Sequence, residues 1–473
     1  MAVARREGTR AAPIRPHAIL GLVLLATALS NLEVGLVTVA LPTLAATFGG
    51  GPTTIQWVAI SYQLAIIGTL ILFGRLVDLF GGRTLYLAGM ATVAAASLLA
   101  LLSQNALWLI LARGLLGLGA AMLLATGQAL LAVAYPHAGR GRALGYLHMA
   151  VAAGLMAGPS VGGLLVTTLG WRAVFLAPLL LAVGALWWAW QTLPQPDRQG
   201  RERLDLAGAA LVFVAAVLAV VGLTRLSHGS WTQSAGLLVA ALVAALLFVM
   251  VEQRQAAPLV DLRLLRRWSL AAGLLAAVLT FIALAANMFL IPFALQQLMG
   301  QPALVAGLVM MAAPVAILPV APLAGALADR CGSRLPTTAG LAAITAAIVG
   351  MAGFRTTTPV WVAAAVLVLY GIGAGLFQAP NNSAVLGSAP AGQTGSVSGM
   401  LALSRNLGQV VGVTVASTVW TWRQAHAASL AAPPGGSALA AGLHDAFLVL
   451  AGFGLLALAV SALRSEPKGA TDA

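Results

Sequence analysis

The chain has 12 acidic residues among 473, and one of them, Glu33, stands deep inside an apolar run. A carboxylate in hydrocarbon is costly unless it is paired or protonated, so a residue of this kind marks a functional site. A carboxyl group that trades between those two conditions can take a proton on one side of a membrane and give it up on the other. Arg113, within the fourth apolar run, is the matching cation. At about 1.5 Å per helical residue, Glu33 lies roughly 21 Å along the first run and Arg113 about 10 Å in from the outer end of the fourth. Both belong to the outer half at similar depth. They are expected to approach each other, with Arg113 modulating the proton affinity of Glu33. A permanent ion pair that only orders two helices is the alternative.

Other polar residues sit within apolar runs. Arg405, in Ser404-Arg405-Asn406-Leu407-Gly408, lies about 16 Å into the thirteenth run and is expected to face a central cavity, where it could attract an anionic group or tune the local field. Tyr62, Gln63, Asn287, Met288, Phe289, Phe377, Gln378, Asn381 and Asn382 are candidate lining of that cavity. Methionine and aromatic side chains suit adaptable apolar binding, though they also fill ordinary helix contacts. His148 reads as a hydrogen-bonded interior histidine rather than a proton relay.

The elements that must position these residues are helices in a bilayer. Hydrophobic residues make up 60% of the chain, charged ones 8%, and the mean hydropathy is +0.96. A soluble domain carries about 25% charged residues, so an ordinary globular protein is excluded. Fourteen apolar runs recur: 18–41, 54–74, 84–103, 106–131, 142–167, 172–193, 206–224, 234–251, 269–292, 303–327, 335–354, 359–386, 395–420 and 444–463. Each is close to the roughly 20 residues that span about 30 Å of hydrocarbon. The net charge of +13 sorts by loop rather than forming a nucleic-acid patch. Alternate loops and both tails hold 19 of the Arg and Lys residues, while the intervening loops hold Arg172, Arg225, Arg355 and Arg423. That bias places both termini in the cytoplasm. The first run is too long for a signal peptide's apolar core and carries Glu33. Cys331 is the single cysteine, so no disulfide or zinc site is expected. Alanine richness and the preference for Arg over Lys suggest a GC-rich bacterial genome.

The chain repeats itself. Gly74-Arg-Leu-Val-Asp78-Leu-Phe-Gly81-Gly-Arg83 matches Gly325-Ala-Leu-Ala-Asp329-Arg-Cys-Gly332-Ser-Arg334 at a spacing of 251 residues. Gly145, Gly154 and Gly158 match Gly399, Gly408 and Gly412 at 254. The chain therefore holds a six-helix unit twice, with two unmatched runs between. The expected division is a tail 1–16, a six-helix half 17–193, a linker with two inserted helices 194–268, a second half 269–464 and a tail 465–473. At helix ends, Asp78, Arg83, Asp329 and Arg334 can make charge-assisted bonds when a cytoplasmic gate shuts; topology anchoring alone is the plainer reading. Gly154, Gly158 and Gly162, at four-residue spacing, let another helix pack backbone to backbone, and Pro159 bends its helix. The second half has Val413 where Pro159 stands in the first.

These residues carry a resemblance. Gly-x-Leu-x-Asp-x-x-Gly-x-Arg, at Gly74, Asp78, Gly81 and Arg83, resembles the loop signature of the major facilitator superfamily. Gly154-Leu-Met-Ala-Gly158-Pro159-Ser-Val-Gly162-Gly163 is similar to the motif of that superfamily's drug/proton antiporters. Leu32-Glu33-Val-Gly35-Leu-Val-Thr38-Val-Ala40-Leu41-Pro42 resembles the first helix of the fourteen-helix branch, with Glu for Asp, Gly35 for Thr and Thr38 for Asn. Arg113-Gly-Leu-Leu-Gly117-Leu-Gly119 is like its intramembrane arginine motif. The resemblance spans essentially the whole chain. It implies an all-α integral membrane protein of two six-helix bundles plus two inserted helices, fourteen in all, whose motif loops lock the outward-open state.

The expected function is proton-coupled efflux of amphiphilic drugs or related small organic compounds across a bacterial inner membrane by alternating access. A dedicated exporter of one endogenous metabolite, an antibiotic or a lipid, is the alternative. No phosphate-cradling Gly-rich loop with Lys-Ser/Thr is present, so ATP is not expected to drive it. No loop gathers His, Cys, Asp or Glu into a catalytic or metal-binding cluster, so an enzyme is not expected, nor a cofactor. The expected partners are the substrate, protons and lipid, not nucleic acid, and the expected state is a monomer.

Overall fold

The computed structural model describes residues 16–49, 51–135, 140–193, 206–226, 230–254, 262–388, 394–429 and 436–463. The two expected tails and the start of the expected linker lie almost wholly outside the described residues. The helices are α1 (Pro16–Phe48), α2 (Pro52–Phe80), α3 (Gly82–Leu101), α4 (Ala106–Ala134), α5 (Arg140–Leu169), α6 (Leu176–Thr192), α7 (Leu206–Leu226) and α8 (Trp231–Arg254). They continue as α9 (Trp268–Ala285), α10 (Ile291–Phe293), α11 (Ala303–Met310), α12 (Ala312–Cys331), α13 (Arg334–Ala352), α14 (Val360–Gly387), α15 (Thr394–Ser429) and α16 (Gly436–Ala462).

Each of the fourteen apolar runs falls on helix. Eleven helices are long and apolar enough to cross a membrane, and two shorter apolar stretches lie at Thr54–Leu70 and Ala210–Leu226, all among the described residues. In α15, Ser404, Arg405, Asn406 and Gln409 interrupt the apolar character. The run from α9 to α10 is a continuous rod, with π turns at Ala286–Leu290 and Ala294–Leu298 on either side of Pro292. Pro292 has no N–H to donate, and wider turns accommodate the missing bond. Large apolar side chains stand outside, among them Leu107, Trp187, Trp190, Leu323 and Trp361. Lipid tolerates that surface where water would not.

The sequence repeat reappears in the packing. Within the first set α1 packs on α5, α2 on α4 and α3 on α6; within the second, α9 packs on α15, α12 on α14 and α13 on α16. Between the two sets, α7 and α8 pack on each other, and α7 also lies against α2 and α15. The paired motif loops share one conformation. Gly81 and Gly332 have φ of 80° and 82°, in the left-handed region that favours glycine. Their N–H groups donate to Val77 O at 2.8 Å and Ala328 O at 3.0 Å, which closes the preceding helix and turns the chain into the next.

The glycine stripe of α5 rests on α1. A Cβ at Gly158 would stand 2.7 Å from Gly35 Cα and 2.8 Å from Leu32 O; at Gly154 it would meet Ala28 O at 2.5 Å. In the second set Gly408 and Gly412 press against Val278 O and Ile282 O of α9 in the same way. Gly158→Ala is therefore expected to force α5 off α1 and lower stability by about 1–3 kcal/mol. Gly184→Ala is a control, because a Cβ there meets nothing within 4 Å. Unfolding of the detergent-purified variants checks the contrast: Gly184→Ala should match the parent.

Candidate functional site

Glu33 lies between Leu32 and Gly35, the two α1 residues on which Gly158 rests, so the α5 stripe fixes the helix that carries it. Arg113 comes from α4, and its Nη1 donates to Glu33 Oε1 in an ion pair whose side chains are 1% and 3% exposed. Arg113 Nε also donates to Val58 O of α2 at 3.1 Å, and its guanidinium lies 4.7 Å over the Tyr62 ring. Tyr62 Oη reaches back toward Ser30 O of α1 at 3.5 Å. One arginine thus ties α1, α2 and α4 together. The approach of Glu33 and Arg113 matches the expectation from their depths.

Next to Tyr62 the chain turns toward the other helix set. Gln63 Nε2 donates to Gln409 Oε1 of α15 at 2.9 Å and lies 3.6 Å from Met288 Sδ. Two turns away on α2, Gln56 accepts from Ser417 Oγ of α15 and donates to Thr224 Oγ1 of α7 at 2.9 Å. Gln296 Nε2 donates to Val39 O at 2.9 Å, and Leu304 N to Thr167 Oγ1 at 3.2 Å. Gly307 lies against Pro159 O, and Gly163 against Ala303 O, which seats the end of the α5 motif on α11. These contacts cluster in the half of the bundle farthest from the Gly81 and Gly332 turns. Gln56, Ser417, Thr224 and Gln409 belong to no motif in the sequence. Their signal is polar residues repeating along one face of otherwise apolar helices.

In this conformation the motif-loop arginines reach the ends of helices in their own sets. Arg83 Nη2 donates to Trp190 O at 3.0 Å, near the end of α6, and Arg334 Nη2 donates to Ala462 O at the end of α16. Each caps the last helix of its own set, where a cation meets free carbonyls and the negative end of the helix dipole. Gly74 and Gly325 are half-buried with open space beside them. The Asp78 and Asp329 side chains, like those of Asn287 and His148, lie outside the described residues.

Several candidate cavity residues are packed instead. Tyr62 is held under Arg113. Phe289 is buried against Phe293 and Trp420, and Phe377 is buried as well. Asn381 is buried, with Nδ2 donating to Gly273 O at 3.3 Å. An aromatic or amide inside an apolar run fits a helix contact as readily as a cavity wall, and in this conformation these four fill contacts. Gln378, Met288 and Asn382 are half-buried, and Arg405 is exposed. Arg423, expected in a loop, continues α15 and pairs with Asp445 of α16 at 2.8 Å. Among the described residues no group of His, Cys, Asp and Glu could hold a metal ion.

The buried pair makes a prediction. Arg113→Leu strands a buried carboxylate and is expected to cost about 3–5 kcal/mol of stability, whereas Glu33→Gln with Arg113→Leu leaves no charge unpaired. Thermal unfolding in detergent should place the double variant above the single one.

Comparison with known proteins agrees with this geometry. The family description of the Major Facilitator Superfamily matches residues 23–413. The riboflavin transporter RibZ of Clostridioides difficile is 31% identical over 392 residues, covering 82% of this chain and 85% of that protein. The multidrug resistance protein Stp of Mycobacterium tuberculosis is 31% identical over 393 residues, covering 82% and 73%. A solved POT-family transporter, crystallised with 5-aminolevulinic acid, superposes with a TM-score of 0.68 over 93% of this chain and 94% of that one; at 15% identity it speaks for the fold. With its paired helix sets, repeated loop turns and relatives of this kind, the chain belongs to the major facilitator superfamily and is a multi-pass membrane transporter, not an enzyme.

Proposed function

We propose that the chain exports amphiphilic small organic compounds in exchange for protons, and that the Glu33–Arg113 pair is the proton-linked element. The observation that carries this reading is a buried ion pair between α1 and α4, out of reach of water and braced on α2, the helix that also bonds α15 across the seam. A proton on Glu33 cancels its charge and frees Arg113; loss of that proton restores the pair. Because Arg113 also grips the α2 backbone at Val58 and covers the ring of Tyr62, the neighbour of Gln63, the state of the pair is felt at the seam. In this cycle, protonation from outside favours return to the inward-open form. Arg113 then stabilises the ionised carboxylate as the proton leaves, and substrate loading favours the outward-open form.

The distribution of Arg and Lys puts the Gly81 and Gly332 turns, and both termini, in the cytoplasm. On that orientation the cross-set contacts close the outer face, and the conformation described is closed outward. The Arg83 and Arg334 loops would then exchange their own-set caps for cross-set bonds when the inner face shuts. The remaining finer assignments follow from the same frame: fourteen crossings, with α7 and α8 as an inserted pair, in a bacterial inner membrane, as a monomer. The relative named for multidrug resistance supports a broad substrate range. The relative named as a riboflavin transporter supports a second reading, a dedicated exporter of one compound.

Everted vesicles with an imposed pH gradient test the coupling. Wild type is expected to accumulate a transported dye when the gradient is applied, and Glu33→Gln to lose gradient-driven accumulation while still exchanging dye down its own gradient. Gradient-driven transport by Glu33→Gln at the wild-type rate would sink the proposal. Resistance to several unrelated compounds on expression separates the broad exporter from the dedicated one.

A further inference from the structure

Arg405 has no role in the pair, the motif loops or the seam bonds. It lies 11 residues after the start of α15, about 16 Å along the helix. Its direction follows from its neighbours on that helix. Gly412 faces Ile282 O of α9, and Gln409 faces Gln63 of α2. At roughly 100° per residue, Arg405 projects about 20° from Gly412 and about 40° from Gln409. It therefore points between α9 and α2, into the space between the two helix sets rather than toward lipid. The seam is closed at Gln409; one turn farther toward the motif-loop end, Arg405 is exposed.

In the whole sequence Glu33 is the one acid deep within an apolar run, and Arg113 already neutralises it. Arg405 makes no hydrogen bond or ion pair among the described residues. A guanidinium without an ionic partner among apolar helices attracts anions and repels cations. It presents a planar fork of donors suited to a carboxylate, phosphate or sulfonate. Closing the cleft below Gln409 would bury that guanidinium unpaired unless an anion travels with it.

We propose that Arg405 is the counter-charge for the cargo, and that the chain carries amphiphiles with an anionic head and an apolar or aromatic body. This rests on the export reading and names its substrate class. The anionic group is that of a small molecule rather than of a resident lipid, since the cleft must empty on each cycle.

Two dyes of one skeleton test it: fluorescein, a xanthene anion, and rhodamine 6G, a xanthene cation. Binding is followed by fluorescence anisotropy on purified full-length protein in phosphatidylcholine nanodiscs at neutral pH. Wild type is expected to bind fluorescein roughly tenfold or more tighter than rhodamine 6G, as one charge-assisted contact allows. Arg405→Gln should erase that preference by weakening fluorescein binding while rhodamine 6G affinity stays level or rises, and Arg405→Lys should keep most of it. Salt should weaken fluorescein binding alone, a readout on wild type that needs no variant to fold. Equal affinities, a preference for the cation, or an equal loss of both dyes in Arg405→Gln overturns the proposal. Phosphatidylglycerol in the nanodisc should leave fluorescein binding intact; its abolition would make the site a lipid site and overturn the cargo assignment. Gradient-driven transport of rhodamine 6G with no fluorescein preference would leave proton-driven export standing and remove the anion site. A fluorescein preference that follows Arg405, with no gradient-driven transport of either dye, would do the reverse.

Discussion

A carboxylate and a guanidinium packed away from water set the terms for this molecule. Taking two charges out of solvent is expensive, and their attraction repays it only when geometry and further hydrogen bonds are good. Arg113 meets that demand with three partners at once: Glu33, the Val58 carbonyl and the face of Tyr62. The demand reaches outward into the fold. Glu33 can hold its place only if α1 is held, and the α5 glycines hold it by backbone contact at Gly35 and Leu32. The α5 motif that resembles the antiporters' own is, in physical terms, the mount for Glu33.

The same stretch of α2 serves two masters. Val58 and Tyr62 answer to Arg113, while Gln56 and Gln63 answer to α15 across the seam. A change of charge at Glu33 therefore has a short mechanical route to the closed face, through one turn of one helix. The inserted α7 is part of that face, since Thr224 receives the Gln56 amide and Phe213 covers Gly68. The extra pair is thus more than a spacer between the two sets. Arg405 lies one turn beyond the last seam bond and is exposed, a positive charge that the paired Glu33 does not cancel.

Much of this was legible in the sequence, for physical reasons that also mark its limits. Gly81 and Gly332 repeat because both must adopt a left-handed turn that other residues resist. The Gly154, Gly158 and Gly162 spacing announces a backbone-to-backbone contact, though not that α1 is the partner. Glu33 and Arg113 reveal each other because charges in hydrocarbon need partners and helical rise fixes their depth. Tyr62, Phe289, Phe377 and Asn381 were harder, since the residues that pack helices are the ones that line cavities. The bonds of Arg83 and Arg334 to their own sets depend on conformation, and one sequence supports more than one. Residues 420–429 continue α15 although Trp422, Arg423 and His426 break the apolar run, because the Arg423–Asp445 pair and α16 support them.

Coupling of cargo loading to proton release through Glu33 is the proposal on which the transport cycle rests. It is tested most directly by adding a transported dye to purified protein in weakly buffered solution near neutral pH and recording proton release with a pH indicator. Wild type should release protons when dye binds, and Glu33→Gln none, with the dye still bound. Equal release from both proteins, or none from either, would contradict it.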